Sequence, residues 1–200
     1  MNNEAPVRAA LREYLLKTRK QQPTSVDEFW VPQSHERADL ALIGRELSGY
    51  EIKTDRDTLR RLPRQAAAYG RVFDRCTVVA APRHTQAAIG LLPEWWGVVE
   101  VSVNGHVAFE QIRPARQNSE LDPETLVRLL WRSEVQSALV QLGVEVPASA
   151  TRGTMWRLLL ARAEIRELRG VVRCALRHRN GADARIPSRR FRQEVLNDVN

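Results

Sequence analysis

Asp39, Glu51 and Lys53 lie in two short apolar segments, residues 38–43 and 47–53, whose pattern predicts that the three side chains come together. A tight polar connection joins these segments, which predicts an antiparallel β-hairpin. Because side chains alternate along a strand, Glu51 and Lys53 share one face, and the turn places Asp39 across from them. Two carboxylates and an ammonium group beside a buried region must pair with one another or bind a cation. The hairpin alone is compatible with a structural ion pair or with a cation site.

The segment after the hairpin predicts a helix that adds two polar residues. Pro63 suits the first turn of a helix, and Gln65 and Tyr69 lie four residues apart on one face. Together with the hairpin, these residues resemble the motif of the PD-(D/E)XK nuclease superfamily, and the QxxxY ending resembles its RecB-like branch. The residues that carry the resemblance are Asp39, Glu51-Ile52-Lys53 after a gap of eleven residues, Gln65 and Tyr69. The usual proline is replaced by Ala38, at a position that varies in that superfamily.

The resemblance implies a metal-dependent nuclease that hydrolyses phosphodiester bonds, with DNA as the favoured substrate. Mg²⁺, for which Mn²⁺ would substitute, would be held by Asp39, Glu51 and the main-chain carbonyl of Ile52, since hard oxygen ligands suit that ion. Many members of the superfamily place a further acid before the aspartate. We expect Glu28 in that role, and Glu36 and Glu13 are alternatives.

The same resemblance implies a role for each polar residue. Lys53 would orient or deprotonate the metal-bound water, or stabilise the charge of the transition state. Gln65 and Tyr69 would position the water or a backbone phosphate. The predicted catalytic residues are therefore Asp39, Glu51, Lys53, Gln65 and Tyr69.

The apolar pattern along the chain predicts an α/β fold. A helix, three strands, a helix and a buried strand follow one another between residues 5 and 81, and the resemblance identifies this order as a restriction-endonuclease-like core. A second hairpin is predicted around Asn104-Gly105. Helices are predicted over residues 123–142, 151–168 and 171–179. We expect a nuclease-like core at 1–117 and a helical, basic subdomain at 118–200 that ends in a weakly ordered tail at 181–200.

The positive charge of the chain lies near its C-terminus. The net charge is +7, residues 1–150 hold 19 basic and 19 acidic residues, and residues 151–200 hold 12 arginines and 5 acids. This imbalance favours nucleic acid as a partner, although an arginine-decorated soluble helix is an alternative. The predicted nucleic-acid-binding residues are Arg162, Arg166, Arg169, Arg173 and Arg177.

Composition also restricts the location of the protein. Two cysteines are too few for a disulfide scaffold, and no apolar run approaches the length of about 20 residues that a membrane span needs. We expect a cytoplasmic protein without a secretion signal. Two functions of another class stay open: a catalytically silent nucleic-acid-binding module, or a protein adaptor that docks a partner or a second copy through the C-terminal helices.

Overall fold

The computed structural model describes residues 4–18 and 23–180, so the tail predicted at 181–200 lies outside the described residues. The chain divides into two compact units, residues 1–121 and a second unit that begins at Asp122. Each unit has buried apolar residues of its own, such as Leu40 and Phe73 in the first and Leu126 and Leu139 in the second.

The first unit is a mixed α/β structure, as predicted. Its helices are α1 (Glu4–Lys17), α2 (Leu62–Gly70) and α3 (Pro82–Leu91). Its strands are β1 (Thr24–Trp30), β2 (Arg37–Ile43), β3 (Leu47–Lys53), β4 (Arg75–Ala80), β5 (Gly97–Asn104) and β6 (His106–Arg113).

The six strands form one open sheet in the order β1-β2-β3-β4-β5-β6. The pairs β1–β2, β2–β3 and β5–β6 are antiparallel, and β3–β4 and β4–β5 are parallel. Parallel neighbours require a crossover connection, which α2 and α3 supply. The predicted order of helix, three-stranded meander, helix and strand is therefore present.

Strand β3 is buried along its whole length because both faces of the sheet are covered. On one face, Tyr50 and Ile52 join an apolar cluster with Leu11 of α1. On the other face, a Cβ atom at Gly49 would lie 2.8 Å from the ring of Phe73. Glycine at this position therefore lets the aromatic ring lie directly on the strand.

The second unit is helical over its described residues. Its helices are α4 (Pro123–Val127), α5 (Arg132–Gln141), α6 (Arg152–Leu160) and α7 (Ile165–Asn180).

The helix breaks of the second unit differ from the predicted ones. The helix predicted over 123–142 is divided, because Trp131 is extended and its N–H donates to the Glu134 carboxylate at 2.6 Å, which starts a new helix. Gly170 does not end a helix but is buried inside α7. The break falls at 161–164 instead, where the N–H of Glu164 donates to the Glu167 carboxylate at 2.9 Å.

Within residues 4–18 and 23–180, no helix combines the length and apolar character needed to cross a membrane.

Candidate functional site

The polar cluster that the sequence predicts is assembled where β2, β3 and α2 meet. The register of β2 with β3 pairs Leu40 with Tyr50, so its continuation places Asp39 opposite Glu51. The Asp39 carboxylate accepts a hydrogen bond from the backbone N–H of Ile52 at 2.6 Å. This hydrogen bond joins the Asp39 side chain to the backbone of β3.

Glu51 is the centre of this cluster and is only 2% exposed. Its Oε1 atom accepts from Lys53 Nζ at 2.6 Å and from Gln65 Nε2 at 2.5 Å, and its Oε2 atom lies 2.5 Å from the Tyr69 hydroxyl. The Tyr69 ring is fixed against Phe73, with ring centroids 5.5 Å apart. The structure therefore brings Glu51, Lys53, Gln65 and Tyr69 together, as the spacing predicts.

The burial of this cluster changes how its acids ionise. Burial raises the pKa of Glu51, although Lys53, Tyr69 and Gln65 act in the opposite direction. Burial, followed by the neighbouring Glu51 carboxylate, raises the pKa of Asp39 to about 8. Burial and the charge of Glu51 likewise raise the pKa of Tyr69.

The Tyr69 hydroxyl lies between two oxygen acceptors. The hydroxyl oxygen lies 2.5 Å from the carbonyl oxygen of Arg37 and 2.5 Å from Glu51 Oε2. A hydroxyl has one proton, so it can donate to one of these oxygens at a time. Its proton is therefore shared between the Arg37 carbonyl and the Glu51 carboxylate, both of which accept. The arrangement links β3 to α2 and to the start of β2.

Asp39 lies close to two acids besides Glu51, and one of them is Glu28, the further acid expected from the sequence. Within the described part of the chain, carboxylate oxygens of Glu4, Glu28 and Asp39 all lie within 4.8 Å of one another, and Glu51 is outside this group. Glu28 also pairs with Arg8 at 2.5 Å. These oxygens have the hardness that Mg²⁺ prefers; Asp39 and Glu28 belong to the predicted ligands, whereas Glu4 does not. Magnesium binding stays a prediction.

A second buried carboxylate belongs to Glu36, which the sequence offers only as an alternative acid. Glu36 is 1% exposed, and its two oxygens pair with Arg61 Nη2 at 2.7 Å and Arg64 Nε at 2.5 Å. Burial by itself raises the pKa of Glu36, but the hydrogen bonds and charges of the two arginines outweigh it and lower that pKa. In the sequence, the feature that could have indicated these ion pairs is the density of arginines in residues 56–64, at positions 56, 60, 61 and 64.

The arginines predicted to bind nucleic acid do not form one exposed stripe. Arg162 lies in the turn before α7 and is exposed, as is Arg166. Arg169 and Arg177 are half-buried, and Arg173 is only 6% exposed. Arg173 is enclosed because α7 is buried from Gly170 to Leu176, whereas helical periodicity alone suggested a solvent-facing row.

Comparison with known proteins identifies relatives along nearly the whole chain. A family model described as "Bacteriophage P4 protein cII" matches residues 1–198. "Protein cII" of Enterobacteria phage P4 is 30% identical over 178 residues, which cover 88% of this chain and 67% of the phage protein. No solved structure matches the chain significantly.

These matches overturn the resemblance to PD-(D/E)XK nucleases. Neither the matching family nor the phage relative is described as a nuclease, and both extend far beyond the short motif. The predictions of superfamily membership, of an enzyme and of magnesium-dependent phosphodiester hydrolysis are therefore wrong. The physical reason is that an Asp, a Glu-x-Lys pair and a Gln-x-x-x-Tyr helix are also suited to a closed, buried hydrogen-bonded cluster, and spacing alone does not reveal reactivity.

Proposed function

This chain belongs to the bacteriophage P4 protein cII family, and we propose that it is a nucleic-acid-binding protein that does not catalyse a reaction. The observation that carries the proposal is the charge of residues 151–180, which hold eight arginines and two glutamates. Clustered positive charge binds nucleic acid because each neutralised phosphate releases condensed counterions.

The arginines available for this role are those that reach solvent. Arg157, Arg162 and Arg166 are exposed and lie on α6, in the turn and on α7. Exposed Arg152 adds a guanidinium 4.8 Å from the ring centroid of Trp156. We define Arg157, Arg162 and Arg166 as the C-terminal arginine group. These residues replace the longer predicted row, in which Arg169 and Arg177 are half-buried and Arg173 is enclosed.

The polar cluster around Glu51 has a structural role in this proposal. Its hydrogen bonds from Lys53, Gln65 and Tyr69 offset the cost of burying a carboxyl group and an ammonium group. They also connect a central strand to the crossover helix. That this core has the restriction-endonuclease-like fold, used without catalysis, is part of the same proposal.

The test measures DNA binding by the arginines separately from any cleavage of the DNA. We expect a fluorescein-labelled duplex DNA to bind the full chain with an affinity that falls steeply with salt. Replacing the C-terminal arginine group with glutamine should weaken binding. It should also reduce the slope of the logarithm of the binding constant against the logarithm of the salt concentration by about 0.9 for each phosphate that is no longer neutralised. Parallel titrations with single-stranded DNA and RNA identify the preferred polymer.

The matched control replaces the same three arginines with lysine, which keeps the charge and should keep most of the affinity. Plasmid DNA incubated with Mg²⁺ or Mn²⁺ should stay intact. Equal slopes for the wild type and the glutamine variant would refute this binding surface. Plasmid cleavage that Asp39→Asn abolishes would refute the absence of catalysis.

A protein adaptor is a second candidate because an exposed indole lies on the second unit. Trp131 is 55% exposed, and the Arg179 guanidinium lies 3.9 Å from its ring centroid. Tryptophan and arginine are frequent anchors of protein interfaces. If this site docks a protein or a second copy of the chain, Trp131→Ala should abolish that association and leave DNA affinity unchanged.

A further inference from the structure

The start of α2 carries an exposed arginine surface on the first unit. Arg60 is exposed, and the side chains of Arg61 and Arg64 are 59% and 68% exposed. Arg61 is the N-cap of α2, so Arg61 and Arg64 are neighbours three positions apart, and Arg60 precedes them in the turn that leads into the helix. We call these three residues the α2 arginine surface.

Two guanidinium groups of this surface are held in place by a buried carboxylate. The carboxylate of Glu36 pairs with Arg61 and Arg64 through separate oxygens, and it is itself enclosed. The backbone of Glu36 is also fixed, since its carbonyl accepts from Val31 N at 3.1 Å and its N–H donates to Ser34 Oγ at 3.2 Å. The arginines therefore lose little conformational freedom when their outer N–H groups bind a ligand.

The position of the arginines is unfavourable for the helix itself. A helix N-terminus carries partial positive charge, which acidic side chains normally balance. The first turn of α2 contains no acid, and Arg61 at its N-cap provides no side-chain cap. Positive charge from the helix terminus and from the arginines thus converges on the same patch.

The nearby acids do not cancel this charge at the surface. Asp57 accepts hydrogen bonds from Thr54 N at 2.7 Å and Thr54 Oγ1 at 2.6 Å, so its carboxylate caps the turn that follows β3. Glu36 is enclosed beneath its two arginines. Asp55 is exposed, but residues 55–64 contain four arginines against these two aspartates.

We propose that the α2 arginine surface binds phosphate groups of a nucleic-acid backbone, as a contact separate from the C-terminal arginine group. The inference rests on the proposed function and adds a binding site on the first unit. A guanidinium presents a planar fork of N–H donors that matches two phosphate oxygens, a geometry that an ammonium group lacks.

The experiment measures fluorescence anisotropy of a fluorescein-labelled duplex DNA with the full chain over a series of salt concentrations. The double variant Arg60→Gln/Arg64→Gln should bind more weakly and show a slope smaller by about 1.8, which corresponds to 0.9 for each of two phosphates. Arg60→Gln alone, which leaves both pairs with Glu36 intact, should show about half that change. Circular dichroism checks that each variant is folded.

The matched control is Arg45→Gln/Arg116→Gln, which removes the same charge from exposed positions of the first unit. Arg45 lies in the β2–β3 turn, and Arg116 follows Ala115, whose carbonyl accepts from Arg75 at the start of β4. Both lie at the end of the sheet opposite to the end of β3 that leads into α2. The control should keep the wild-type slope.

The outcomes separate the two proposals. If only the C-terminal glutamine variant changes the slope, the proposed function stands and this inference is overturned. If the α2 double variant and the control change the slope equally, the effect is one of net charge and the inference is also overturned. If wild-type protein binds none of the nucleic acids, the proposed function itself fails. Loss of binding to an acidic protein with an unchanged DNA slope would assign the surface to a protein partner and overturn the inference.

Discussion

The carboxyl group of Asp39 lies among other acids at the margin of the core. Its pKa of about 8 reflects burial first and the neighbouring Glu51 carboxylate second, partly opposed by the hydrogen bond from Ile52. An aspartate in an unfolded chain ionises near pH 3.9. Between about pH 4 and pH 8, the folded protein therefore retains a proton that the unfolded chain releases, and stability decreases as the pH rises.

We predict that Asp39→Asn removes this dependence. The asparagine oxygen can still accept from the N–H of Ile52, but the side chain has no proton to lose. The free energy of unfolding of the wild type should fall by up to about 1.4 kcal/mol per pH unit from this group alone, and the variant should be flatter. Urea denaturation at a series of pH values between 4 and 8 measures the difference.

Asp55→Asn is the matched control, since Asp55 is exposed in the loop after β3. Its unfolding free energies should follow the pH dependence of the wild type. If Asp39→Asn and the wild type give parallel curves, the Asp39 carboxyl is ionised in the folded protein and the assigned environment is incorrect.

At the scale of elements, the packing of β3 against the segment after α2 depends on Gly49. A methyl group at this position would meet three ring carbons of Phe73 at 2.8–2.9 Å, closer than real Cβ contacts allow. Phe73 also packs against Tyr69, so the ring cannot move without disturbing the polar cluster. The glycine thus couples the apolar packing of the strand to the geometry around Glu51.

We predict that Gly49→Ala lowers the free energy of unfolding by about 1–3 kcal/mol, as overpacking of a core typically does. Chemical denaturation at constant pH provides the measurement. Adding Phe73→Leu should restore part of the stability, because the smaller side chain leaves room for the methyl group.

Gly90→Ala in α3 is a control that should change the free energy of unfolding in the opposite direction or not at all. A Cβ atom there meets nothing within 4 Å, and alanine is a better helix former by about 0.5–1 kcal/mol. Gly90→Ala should therefore be neutral or stabilising. Wild-type stability of Gly49→Ala would show that the ring of Phe73 does not lie against β3 in this manner.

At the scale of the whole molecule, charge is distributed unequally along the chain. Residues 151–180 carry an excess of six positive charges, from eight arginines and two glutamates, while the whole chain has a net charge of +7. The α2 arginine surface lies on the first unit, so the proposed nucleic-acid contacts belong to both units.

A polymer that binds only the folded protein must stabilise it by mass action. We predict that duplex DNA at 100 times its dissociation constant raises the free energy of unfolding by about 2.7 kcal/mol, and that the gain disappears as salt is raised. Thermal unfolding followed by tryptophan fluorescence, with and without DNA, measures this effect. An uncharged polymer such as dextran should produce no comparable shift, and an equal shift with dextran would exclude electrostatic binding as the cause.

The local parts of the site were predictable because they depend on residues near one another in sequence. Strand alternation places Glu51 and Lys53 on one face and Tyr50 and Ile52 on the other, and the structure has this arrangement. The four-residue step from Gln65 to Tyr69 likewise puts both side chains onto Glu51. Alternation and helical periodicity are properties of the backbone, so they hold before any tertiary contact is known.

Other features were decided by tertiary packing. Glu36 meets Arg61 and Arg64 across 25 and 28 residues, and Asp39 meets Glu4 through the placement of α1. Arg173 occupies the same periodic row as Arg166, yet packing encloses one and exposes the other. Sequence spacing specifies which side chains share a face of their own element. Which of those faces meets solvent, a counter-charge or another element depends on long-range packing, which here encloses Glu51 among Lys53, Gln65 and Tyr69.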